Sequence, residues 1–466
     1  MLRNYSPPAT LFLAYPTLGL AFDPVLAQLD RLRDDDTIIQ HVTADLAKRS
    51  PLTTRRGRTS TPVEVVLRML VVKRLYRWSY EATERFVADS LVVRQFCRVY
   101  RHRVPDDTTL LRWATLSEPA SVERLNERVV ALARSLQVTR GRKLRGDSTV
   151  VETTIPHPTA RRILGDGVRG LSRLLHRAKD LGGQGANLAK DALRRRTRSV
   201  RPLAPQLHRV ARRTGEAAAA ALQQADGKLI AIAPATTNQA ERVKDVRQEQ
   251  ATAQAKQLAD QFAHGVPLMD QVIDQATRRV LDGAGVPAGE KRLRLVEPHT
   301  RLSKRHKAGK PVAFGRKVML DEVEGGLISR YEVVDDAGLD HPHLKDSLAG
   351  HQQRFGRAPP VLAGARGCCS PENEALAREA GVNRIVLPKT GRVSAERRAH
   401  ERQRGFRRGV RFRAGIEGRI RVLKRAYELG RCRDHGAEGL ERWGGWGVVT
   451  ANLATIGRTV AARPAG

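Results

Sequence analysis

Two acidic residues stand out by their setting. Asp147 lies inside a Val- and Thr-rich run, 144–155, bounded by Gly and by Pro156, that has the composition of a strand. Aspartate is disfavoured within strands. It therefore either caps a turn at a strand end or projects from a central strand as a metal ligand, because carboxylate oxygens bind hard divalent cations. Glu417 is the single carboxylate in a field of cations, Phe412-Arg413-Ala414-Gly415-Ile416-Glu417-Gly418-Arg419-Ile420-Arg421-Val422-Leu423-Lys424-Arg425. On the residues alone it reads as a surface glutamate paired at i±4 with Arg413 and Arg421.

The elements that must position them follow from periodicity. The run around Glu417 reads as one helix. Arg413, Glu417, Ile420 and Lys424 fall at i, i+4, i+7 and i+11 along one face, beside an apolar stripe of Ile416, Ile420 and Leu423. In the strand holding Asp147, Glu152 is five residues on and of opposite parity, so it points away from any Asp147 site. Residues 310–336 read as a hairpin with Gly325-Gly326 at its turn and 327–334 as the return strand. Residues 344–355 form a helix, 360–363 a short buried strand, 371–377 the start of another helix and 384–388 a last strand.

The first part of the chain reads differently. Residues 1–60 hold an arm and a helix around 30–48. Thr61 is expected to cap a helix with Pro62 in its first turn. Ser79 opens a second helix carrying Phe86, Val87, Leu91 and Val93. The run Val104-Pro105-Asp106-Asp107 opens a third, on which Arg112 is a candidate groove-facing residue of a helix-turn-helix unit. Such units also serve as plain packing modules. Residues 160–290 contain one aromatic residue, Phe262, and apolar residues at helical spacing, so they read as long helices with a break or kink at Pro267. The cation run 194–198 is either a solvated face or a track for a DNA backbone. His299 is a lone histidine and carries no assignment.

The 466 residues include 83 Lys plus Arg against 49 Asp plus Glu, a formal charge of +34. A balance this basic points to a polyanion, with nucleic acid as the default partner. Four cysteines without a C-x-x-C make neither a disulfide framework nor a structural zinc site. With no long apolar run and no leader pattern, a cytoplasmic protein with no membrane association is expected.

The spacing Arg413, three residues, Glu417, six residues, Lys424 resembles the C-terminal signature of DDE-type bacterial insertion-sequence transposases. Asp147-Ser148-Thr149-Val150-Val151-Glu152-Thr153 resembles the first-Asp strand of the same family. Phe314-Gly315-Arg316-Lys317-Val318, the Pro105-x-Asp107-x-Thr109 junction and Glu441-Arg442-Trp443 are similar too. The likeness covers roughly 60–155 and 295–460. Val410 departs from it, standing where the family has tyrosine.

The resemblance implies an α/β fold with an RNase H-like mixed sheet and flanking helices. An all-helical N-terminal domain and a long helical insertion after the first strand would complete it. The expected division is 1–60 arm and helix, 61–135 DNA-binding helices, 140–160 with 291–466 the catalytic domain, and 161–290 the insertion. It implies a mobile-element transposase that binds terminal inverted repeats as a homodimer on DNA and carries out metal-dependent strand cleavage and transfer. Asp147 and Glu417 would ligate Mg2+ (or Mn2+), and Arg413, Lys424 and Arg112 would touch DNA.

One ligand is missing from that pattern. The family's second aspartate belongs in the stretch Gly364-Ala365-Arg366-Gly367-Cys368-Cys369-Ser370, where Ala365 occupies its place and Cys368 that of an aromatic. The nearest acid downstream, Glu372, is seven residues on. Two-ion phosphodiester chemistry needs a ligand bridging the ions. The resemblance therefore implies a transposase impaired as written; the rivals are a DNA-binding protein without catalysis and a nuclease that cuts without joining.

Overall fold

In the computed structural model, residues 24–31, 36–48, 60–99, 103–183, 185–189, 216–287, 289–304, 312–334, 341–389 and 391–463 are described. The cation run 194–198 lies outside them. The protein is a mixed α/β structure. Helices α1 (Pro24–Arg31), α2 (Asp36–Ala47), α3 (Val63–Tyr76), α4 (Tyr80–Asp89), α5 (Leu91–Phe96), α6 (Asp107–Leu116) and α7 (Pro119–Ser135) come first. Strand β1 (Lys143–Glu152) follows, then helices α8 (Ala160–Asp180), α9 (Glu216–Gln248) and α10 (Ala253–Val280). The remainder runs β2 (Arg301–Lys304), β3 (Val312–Val323), β4 (Leu327–Val334), α11 (Leu344–Phe355), β5 (Val361–Ala363), α12 (Pro371–Glu379), β6 (Arg384–Val386), α13 (Ala395–Arg402), α14 (Arg404–Ala426) and α15 (Gly436–Ala461).

Chain contacts separate two units, 1–153 with 316–466 and 154–315. In the second, α8, α9 and α10 pack on one another through Leu164, Val168, Leu175, Val243, Leu258, Phe262 and Met269. The break expected at Pro267 is corrected: α10 continues through it, as α9 continues through Pro234. One missing N–H is tolerated where the rest of the helix face is buried. Within this unit β2 pairs antiparallel with the first residues of β3.

In the first unit β4 pairs antiparallel with β3, β1 is flanked by β3 and β5, and β5 pairs parallel with both β1 and β6. The β3–β4 turn is Gly325-Gly326 with φ of 87° and 75°, the left-handed pair a tight hairpin requires. The helix α15 packs against α7, α1 and β4. Gly445 permits this closeness, since a Cβ there would meet Val122 Cγ1 at 2.6 Å and the Tyr331 ring. Buried Asn452 joins three elements: its amide nitrogen donates to Asn126 Oδ1 and Ile328 O, both at 2.8 Å, and its oxygen accepts from Ile328 N at 2.9 Å. That satisfies a polar group that would otherwise be costly to bury.

Two helix starts differ from expectation. Pro62, with ψ of 143°, lies outside α3 as its cap residue, and Thr61 does not cap; proline's fixed φ suits the extended cap position as well as the first turn. The helix opened by Ser79 stops at Ser90, whose hydroxyl accepts from Val93 N and starts α5. A serine able to bond the backbone ahead of it favours a cap over a helix interior.

Candidate functional site

Asp147 lies on β1, with its side chain 15% exposed. The β1–β5 register pairs Lys143 with Val361, Leu144 with Leu362 and Arg145 with Ala363. The pairing ends there, and Ala365 follows two residues after the last paired residue, at the entry to a 3-10 turn. Gly364 and Asp147 line the same cavity of about 10 Å³, room for about one water. Gly364 N also donates to Val386 O at 3.1 Å, so the β5 exit is held by β6. Ala365 itself is extended, φ −66° and ψ 162°.

Helix α14 brings Glu417. It packs on β1, β5 and β6 through a buried face of Phe406, Gly409, Ile416 and Leu423. A Cβ at Gly409 would collide with the Val386 side chain, so glycine sets how near α14 comes to β6. Arg145 pins the same helix from β1. Its guanidinium donates to both oxygens of Glu322 on β3, at 2.8 and 2.6 Å, to Phe412 O, and lies 4.6 Å from the Phe412 ring centroid.

The two sequence-selected acids meet at one cation. Arg413 Nη2 donates to Asp147 Oδ2 at 3.0 Å, and Arg413 Nη1 is 3.6 Å from Glu417 Oε1. Asp147 is largely buried and Glu417 is 68% exposed, so the arrangement opens on the Glu417 side. Lys424, from the same helix, donates to Val150 O on β1 at 2.8 Å. Arg112 is exposed on α6, and among the described residues no side-chain hydrogen bond or ion pair joins it to these groups. Glu152 N–H bonds Gly430 O at 3.1 Å, and its carboxylate lies 3.6 Å from Arg431.

These donors do not fit a two-ion centre. They comprise two carboxylates with a guanidinium between them, and Ala365, at the turn after β5, adds no side-chain donor. Asp321 on β3 lines the small cavity beside Asp147, but Ser347 Oγ donates to its Oδ1 at 2.8 Å and Arg330 holds its Oδ2 at 3.4 Å. Burial pushes that carboxyl upward, and Arg330 opposes the shift. Among the described residues, the three-residue group whose donor atoms come close enough to share a metal is Glu332, His343 and Asp346, within 4.8 Å of one another. It includes neither Asp147 nor Glu417, and Arg330 already holds Glu332 at 2.5 Å.

The sequence reading passed over a further set of basic residues. Arg366, Arg402, Arg404, Arg407 and Arg411 join Arg413 around a cleft of about 730 Å³ that also touches Gly364. Positions 404, 407 and 411 are one helical face, the signal by which they were legible. Among the described residues, no helix is long and apolar enough to cross a membrane.

No curated protein and no solved structure matches the chain. Residues 22–116, the segment that holds α1 to α6, match the family model described as a transposase domain (DUF772).

Proposed function

We propose that this protein is a DDE-type transposase that binds the terminal inverted repeats of an insertion sequence, with a catalytic centre impaired as written by Ala365. The observation that carries the reading is the meeting of Asp147 and Glu417 at Arg413, beside the turn where Ala365 follows β5. The transposase-domain match over 22–116 and the charge of +34 support it independently. So does the order strand, hairpin, helix, strand, helix, strand, helix, which resembles an RNase H-like fold.

In this reading Arg112, within the matched segment, faces DNA, and Arg413 and Lys424 approach the phosphates of the reacting strand. Arg413 orients Asp147 through a charge-assisted bond. In an intact centre, Mg2+ or Mn2+ would activate the attacking oxygen and stabilise the leaving one. Among the described residues no bridging ligand stands beside this pair, so no cleavage step is assigned to it. A second reading, a DNA-binding protein without catalysis that holds the ends or joins an active homologue, is favoured by Ala365 itself.

The test uses full-length protein, duplexes from the gene's flanking inverted repeats, and Mg2+ or Mn2+. The wild type is expected to bind without nicking. Ala365→Asp is expected to gain metal-dependent nicking by orders of magnitude in rate, and Asp147→Asn or Glu417→Gln in that background to abolish it. Nicking by the wild type at the rate of Ala365→Asp would refute impairment. Tight binding with both proteins inert would leave the non-catalytic reading standing, and no binding by either would sink both.

A further inference from the structure

The cleft beside the Asp147–Glu417 pair is walled by α13, α14 and the turn after β5. The corner at Gln403, where α13 ends and α14 begins, turns Arg402 and Arg404 toward the same concavity as Arg407 and Arg411; Arg366 comes from the turn after β5. All five are exposed, and among the described residues none has an ion pair or side-chain hydrogen bond. The single acid of the lining, Glu401, is already held by Arg397 Nε at 2.9 Å and accepts from Lys389 N at 3.1 Å. Five guanidinium groups thus share one concavity without a counter-charge.

A solvated basic helix face spreads its charges outward, whereas here two elements and a turn converge theirs. Like charges set around a concave surface focus a positive potential into it. The guanidinium fork matches phosphate oxygens two at a time. From Arg404 to Arg411 the helix advances roughly 10 Å at 1.5 Å per residue. A DNA strand presents a phosphate about every 3.4 Å along the duplex axis, so this row spans about three of them. Between the arginines the lining is apolar, with Phe406, Val410, Pro388 and Ala414.

We propose that this cleft seats the phosphates of one DNA strand and leads it, past Arg413, to the Asp147–Glu417 pair. This rests on the DNA-binding reading above and adds the path of the strand. Contacts of this kind position the strand without reading its sequence.

The experiment measures binding of the full chain to a fluorescent single-stranded oligonucleotide across a salt series. The variants are Arg404→Gln/Arg407→Gln/Arg411→Gln, the corresponding triple lysine variant, and Arg112→Gln, with melting temperatures recorded for each. The wild type is expected to bind. The triple glutamine variant should melt like the wild type, bind at least about tenfold more weakly, and lose about 2 from the magnitude of its log–log salt slope, at roughly 0.7 per phosphate for single strands. The lysine variant keeps the charge and should keep most of the slope. An unchanged slope and affinity in the triple glutamine variant, with the wild type binding well, would overturn the cleft while sparing the DNA-binding reading. Equal losses in the glutamine and lysine variants would also overturn it, by showing that charge is not what the row supplies. Failure of the wild type to bind any DNA would defeat both.

Discussion

Arg145 is the side chain on which the local geometry most depends. Glu322 is 1% exposed in its side chain, and Arg145 is the cation that both of its oxygens accept from. Removing one partner of such a pair strands a buried charge, which costs about 3–5 kcal/mol. Arg145→Ala should therefore lower the urea midpoint sharply, and Arg145→Met with Glu322→Gln should recover most of the loss. A second residue sets a pH limit. His351 is buried, stacks on Phe355 and faces Gly141 O at 3.1 Å through Nε2. Burial pushes its pKa down to about 4, against a weaker upward pull from the Gly141 carbonyl. An unfolded histidine titrates near 6.5, so between pH 4 and 6.5 the unfolded chain binds more protons. This contribution is complete above pH 6.5 and is lost as pH falls toward 4, by roughly 3 kcal/mol at most. The stability difference between wild type and His351→Gln should shrink over that window, as followed by urea unfolding.

At the scale of the element, α14 both packs on the sheet and carries Glu417 and the cleft arginines, and its glycines separate the packed side from the open one. Gly409 faces Val386, and alanine there should cost about 1–3 kcal/mol through overpacking and loosen α14 from β6. Gly418 meets nothing within 4 Å, so Gly418→Ala should add about 0.5–1 kcal/mol through helix propensity. Opposite shifts in melting temperature for the two variants would verify the packing of this helix; equal shifts would contradict it. Much of this element was legible from the chain alone, since Ile416 and Leu423 repeat with the helix period and are among its buried residues. The hairpin was legible too, because only glycine pairs comfortably occupy the φ values seen at Gly325 and Gly326. The split at Ser90 was not, since a serine cap and a serine inside a helix leave the same apolar pattern around them. The arginine cleft was hidden for another reason: Arg366 lies far from Arg402 in sequence, and only the β5 exit and the α13–α14 corner bring them together.

For the whole molecule the dominant quantity is charge. A chain at +34 repels itself, and salt at 0.1 M screens that repulsion between charges more than about 10 Å apart. Raising salt from low to moderate concentration should therefore raise the melting temperature of the free protein, and on the proposed reading weaken attachment to DNA. A melting temperature that falls with salt would place the stability of the fold in its ion pairs instead. The fold class was legible at this scale because strand and helix signals alternate from 310 onward. The parallel register of β1 on β5 was not, as three-residue strands carry no pairing code of their own.

The extended backbone at Ala365 has an evolutionary consequence. Its φ of −66° and ψ of 162° are open to aspartate as readily as to alanine, so the main chain there does not stand against a carboxylate side chain. An alanine codon ending in a pyrimidine becomes an aspartate codon through one base substitution. On the transposase reading proposed above, such a lineage would sit a single heritable step from a carboxylate at this position, dormant rather than extinct.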